Sequence, residues 1–169
     1  QRFEQPRSTH QAPARASAQA AFALAPELVE AAFAQGWLCQ IEERWTDAIA
    51  QYQSVVALPG DSGAERRIKS FALNNGGWIL LSGLVDEDDA LERAERLLWQ
   101  GLELYPNKAT YANLAELARL RDRQEDAVTL YGAALTLDPS YANALTELAV
   151  VEVELAVAAA QGGETDESK

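Results

Sequence analysis

Three stretches of this chain share one pattern: an aromatic or small residue, alanines at helical spacing, a second aromatic, an alanine–leucine pair and a proline. The clearest copy is "KATYANLAELARLRDRQEDAVTLYGAALTLDP", from Lys108 to Pro139. A second runs from Trp78 to Pro106 and a third from Ala32 to Pro59. A unit of this length makes one pair of helices and cannot bury its apolar face alone. Copies must therefore stack into a continuous core, which leaves one curved surface open.

Spacing sets the register. Ala94 to Ala127 and Pro106 to Pro139 are both 33 residues apart, whereas Ala48 to Ala94 is 46, so about twelve residues are inserted between the first two copies. They are assigned to residues 63–74. The expected organisation is a flexible lead over 1–12 and a helical domain over 13–160. Within that domain lie a partial unit at 13–28, units at about 29–62, 75–107 and 108–141, and a capping helix at 142–160. A disordered polar tail is expected over 161–169. Pro13 suits the first turn of a helix, where its missing N–H costs nothing, and Pro26 marks its stop. Ser62-Gly63 opens a long helical stretch that contains Gly76 and Gly77. Each glycine costs about 1 kcal/mol relative to alanine inside a helix, and the two readings are close helix contact, which is favoured, and a bend.

Charge narrows the partners. Fourteen Lys and Arg against 26 Asp and Glu give a net charge of -12, which disfavours nucleic acid and anionic membrane surfaces. No run of 18 apolar residues is present, so no direct membrane insertion is expected. Cys39 is the only cysteine; an internal disulfide is impossible, and a small buried core residue is the reading of its position. The chain starts at Gln1 and contains no Met, so a processed chain or an excised segment is expected. The compartment stays open between a cytoplasmic form, which is preferred, and a processed or anchored periplasmic one. The Ala-, Arg- and Glu-rich, Lys-poor composition suggests a bacterial source.

Reactive constellations are sparse. His10 is the only histidine, so neither a Ser/His/Asp nor a Cys/His set is in prospect beyond that one residue in the lead. "PGDSGAE" lacks the Lys-Ser/Thr ending of a phosphate loop. The acids Asp86 to Asp89 sit where a helix begins, which the helix dipole favours; "DEDDALERAERL" lacks the mid-loop glycine and alternating ligands of a calcium loop. No catalytic, metal-binding or cofactor-binding residue is predicted, and the chain is expected to be no enzyme.

The pattern resembles the tetratricopeptide repeat, a 34-residue helix-turn-helix unit. The residues that carry the resemblance are Tyr111, Leu114, Ala115, Ala118, Ala127, Tyr131, Ala134, Leu135 and Pro139 in the last copy. In the middle copy they are Trp78, Leu81, Ser82, Val85, Ala94, Leu98, Gly101, Leu102 and Pro106. The first copy offers Ala32, Gly36, Cys39, Trp45, Ala48, Ile49, Tyr52, Val55 and Val56. The resemblance implies an all-α, right-handed α-α superhelix. It also implies a non-catalytic scaffold that binds a peptide or amphipathic helix of a protein partner in a concave groove lined by the first helix of each unit. Carried onto this chain, the groove residues are Phe33, Trp37, Ile41, Ile79, Leu80, Asn113, Glu116, Arg119 and Leu120, with Glu147 and Val150 extending it. Family members that grip a C-terminal carboxylate use a basic cluster here. Ala109, Ile79 and Leu80 replace it, so an apolar groove is implied. Two alternatives stand beside this reading: a homodimer formed through the groove or the cap helix, and a helper domain of a larger enzyme.

Overall fold

A computed structural model describes residues 11–166, with side chains from 13 to 161. The lead expected over 1–12 lies outside the described residues as far as residue 10, as do His10 and residues 167–169 of the expected tail. The described residues form eight α-helices and no strand: α1 (Gln11–Leu24), α2 (Val29–Ile41), α3 (Trp45–Ala57), α4 (Gly63–Leu81), α5 (Ala90–Leu104), α6 (Lys108–Leu120), α7 (Gln124–Leu137) and α8 (Ala142–Asp166). The chain is all-α, as its alanine-rich helical periodicity requires. Each helix packs on the next, and α2, α4 and α6 also touch in a row.

The landmarks of the second helices behave as spacing predicts. Ala48, Ala94, Ala127 and Ala134 are completely buried, because a larger side chain would hold the crossing helices apart. Cys39 is buried in the same core as Ala48 and Ala94, and burial raises its thiol pKa. Glycine serves the same end in α4, which runs unbroken through Gly76 and Gly77. A Cβ on Gly77 would stand 2.8 Å from both Cγ and Cδ2 of Leu98. Close contact is what Gly77 provides, whereas a Cβ on Gly76 would meet Leu97 Cδ1 at an ordinary 3.4 Å.

The inserted residues are not where the spacing placed them. Three helices end on a residue with positive φ: Glu43 (58°) after α2, Gly83 (65°) after α4 and Asp122 (58°) after α6. At Glu43 and Asp122 the following amide closes back on the helix, Arg44 N–H on Cys39 O and Arg123 N–H on Ala118 O, both at 2.9 Å, a Schellman end. With this turn as a common mark, Ala32, Gly36 and Cys39 of α2 correspond to Ala72, Gly76 and Ile79 of α4. All six are buried. Half of the surplus lengthens α4, which has 19 residues against 13 in both α2 and α6. The other half lies in the α4–α5 connection, 82–89, which is longer than 42–44 and 121–123. Residues 63–74 are thus the first turns of α4 and form no separate element.

Local chemistry fixes the extra turns. Ser62 caps α4: its Oγ accepts from Glu65 N–H at 3.2 Å, and the Glu65 carboxylate accepts from Ser62 N–H at 2.9 Å, a capping box. One turn on, Lys69 Nζ donates to the Leu58 and Gly60 carbonyls at 2.6 and 2.8 Å, closing the C-terminal end of α3. At the other end of the chain, α8 continues to Asp166, past residue 160, where composition predicts a disordered tail. No proline follows to stop it, and glycine weakens a helix without ending it.

Candidate functional site

A cavity of about 500 Å³ opens where α4, α6, α7 and α8 meet. The C-terminal turn of α4 supplies Trp78, Leu81 and Ser82; α6 supplies Ala112, Asn113, Glu116, Arg119 and Leu120. Tyr131 of α7 closes the floor, and Asn143 and Glu147 of α8 form the far wall. The α6 residues recur three and four apart, which places them on one helix face.

Arg119 organises the polar wall. Its Nη1 donates to Glu116 at 2.9 Å and to Glu147 at 3.0 Å, and its Nη2 lies 3.6 Å from Glu154. Burial works against the guanidinium charge, but Glu116, Glu154 and Glu147 outweigh it and raise its pKa. Tyr131 donates weakly to Glu116 at 3.4 Å, and burial, reinforced by Glu116 and Glu147, raises the pKa of its hydroxyl. The only cation on this wall is therefore shared among three carboxylates, and the local balance is negative.

Asn113 is also committed. Its Nδ2 donates to Asn74 Oδ1 at 3.0 Å, and Thr110 Oγ1 donates to the same oxygen at 3.1 Å. Asn107 accepts from Thr110 N–H at 2.9 Å as the N-cap of α6 and reaches Ser70 Oγ at 3.2 Å. Ser70 in turn donates to Tyr105 O at 2.8 Å. This seam joins α4 to α6 with side chains whose polar groups satisfy each other.

Asn113, Glu116, Arg119 and Leu120 line this one cavity, with Glu147 beside them. Ile79 and Leu80 do not. They are 0 % and 1 % exposed and belong to the core, because the register of α4 is shifted and Trp78, Leu81 and Ser82 face the cavity in their place. Phe33 is half-buried against the Tyr52 ring, with centroids 5.7 Å apart. Trp37 and Ile41 are exposed, 46 % and 38 %, but stand on α2 away from the cavity. Val150 is exposed on α8 outside the lining. Sequence reasoning placed Trp78 and Leu81 among repeat-core positions; the i, i+3, i+4 spacing of Trp78, Leu81 and Ser82 was the available signal for a shared face.

Among the described residues no three Asp, Glu, His or Cys side chains converge in a way that could hold a metal ion, and no helix is long and apolar enough to cross a membrane. The acids before α5 pair instead with its first turns, Glu87 with Arg93 and Asp89 with Arg96. No protein-family model matches the chain, and no curated protein matches it.

Proposed function

We propose that this chain is a tetratricopeptide-like right-handed solenoid that acts without catalysis, holding a peptide or amphipathic helix of a protein partner in the α4–α6–α8 cavity. Three helix pairs whose first helices each run out into a left-handed residue, and the row formed by α2, α4 and α6, support the superhelical reading. The observation that carries the binding reading is the cavity's division. Trp78, Leu81 and Leu120 offer an apolar side, and Trp78 and Leu120 remain 38 % and 55 % exposed; the Arg119 network forms a polar side. Apolar anchors beside oriented polar groups are how a groove selects a helix. Arg119 is held by Glu116 and Glu147, so a partner's C-terminal carboxylate would meet repulsion. An internal segment fits better.

The test is affinity capture with wild type beside a Trp78→Ala, Leu120→Ala double variant of equal helical circular dichroism. Peptides from the captured protein are then titrated against both. A peptide bound by wild type and weakened tenfold or more in the variant supports the cavity as the site. Equal affinity for both proteins removes it.

A further inference from the structure

The 25-residue α8 is apolar on two opposite faces. Ala144, Leu148, Val151 and Leu155 turn inward and pack in the core shared with Ala127, Tyr131 and Ala134. Leu145, Val153 and Val157 lie on the other side and are 48 %, 63 % and 50 % exposed. Ala149, Ala156 and Ala160, all exposed, lie between and beyond them. Positions 145, 149, 153, 156, 157 and 160 recur three and four apart, so they form one stripe, about 22 Å long at the α-helical rise. Scattered exposed aliphatics are ordinary, whereas a continuous row marks an interaction surface.

Charge identifies the occupant. The rims of the stripe carry Glu152 on one side and Glu147 and Glu154 on the other, and α8 contains no Lys or Arg. Among the described residues Arg119 is the cation that pairs with these acids, and it already serves both Glu147 and Glu154. A second copy would bring the same carboxylates to the seam and a further net charge of -12, which opposes association. We infer that the outer face of α8 docks a partner helix whose aliphatic stripe is rimmed by Lys or Arg. This surface adjoins the cavity at Glu147, but its apolar stripe shares no residue with the cavity lining, and docking there does not depend on the cavity's being occupied.

The probe is a synthetic 18-residue amidated helix with Leu and Ala on one face and Lys on its rims. A scrambled isomer has the same composition without the stripe, and a third peptide has Glu in place of Lys. Fluorescence anisotropy should show wild type binding the first peptide at least tenfold tighter than either control. A Val153→Ser, Val157→Ser double variant, unchanged in charge, should lose that preference, while Trp78→Ala, Leu120→Ala keeps it. Glu152→Gln should weaken binding and reduce its salt dependence. Equal binding of the three peptides by wild type, or retention of the preference by the Val variant, overturns the proposal. So does a concentration-dependent wild-type dimer that the Val variant abolishes, since the occupant is then a second copy.

Discussion

Replacing Gly77 with alanine adds one methyl group and sets two effects of opposite sign against each other. Alanine is about 1 kcal/mol better than glycine inside a helix. At this site, however, the new Cβ would lie 2.8 Å from Leu98 Cγ and Cδ2 and 3.4 Å from the Ala94 carbonyl oxygen. Leu98 and Ala94 are both completely buried, so neither can yield without disturbing the α4–α5 crossing. Overpacking of this kind costs about 1–3 kcal/mol, and the net expectation is a loss of about 1 kcal/mol. Gly132, in α7, is the control: a Cβ there meets nothing within 4 Å, so its alanine variant should gain up to about 1 kcal/mol. Urea unfolding followed by circular dichroism should separate the two variants by about 2 kcal/mol at unchanged m value. In melting temperature that is about 4–8 °C for a chain of this size. Two variants that move together, in either direction, would refute the close-contact account of α4.

Other substitutions probe the polar framework. Tyr52 donates to Gln40 at 2.6 Å and accepts from Asn75 at 3.2 Å; Tyr52→Phe strands both partners and should cost about 1–2 kcal/mol in the same assay. Burial pushes the Tyr52 hydroxyl from 10.0 up to about 12, so the stability it lends is full below pH 10 and lost as pH rises through about 12. The phenylalanine variant should therefore show a shallower alkaline loss of stability, and identical alkaline limbs would sink that assignment. Lys108 and Ser140 hold the Asp138 carboxyl at about 2, below its ordinary 3.8. Its contribution is complete above that ordinary value and fades as pH falls toward about 2, so Asp138→Asn should flatten the acid limb, measured between pH 5 and 2. Lys69→Met keeps the buried stem but removes the ammonium from two helix-end carbonyls and should cost about 2 kcal/mol; a neutral result would mean water caps α3 equally well.

What could be read from the sequence depended on which landmarks carry a residue signature. The second helices were legible because Ala94 and Ala127, and Pro106 and Pro139, hold positions that only small or helix-stopping residues fill. The first helices carry their register in the turn that follows, and there Glu43, Gly83 and Asp122 occupy equivalent left-handed positions with three unlike side chains. Counting back from Ala94 therefore passed through the lengthened 82–89 connection unnoticed, and every α4 assignment slipped by six residues. That slip put Ile79 and Leu80 in the groove. On α6 the register is unshifted, because the short 121–123 turn leaves the count from Ala127 intact.

The shifted register also explains why the cavity is confined to one end of the helix row. In it Asn74 and Asn113 are equivalent positions, and they bond to each other at 3.0 Å. Together with Thr110, Asn107 and Ser70 they close the space between α4 and α6 along the Ser70–Asn74 turn of α4. At the next interface Gln40, Tyr52 and Asn75 close α2 to α4 in the same way. Hydrogen bonds that satisfy each other leave no polar group for a ligand to claim, so between α4 and α6 the cavity opens beyond the seam, at the last turn of α4, with α8 opposite. The seam thus seals the middle of the row with turns that α4 and α6 share, and Trp78 and Leu81, beyond Asn74 on α4, line the cavity at its end.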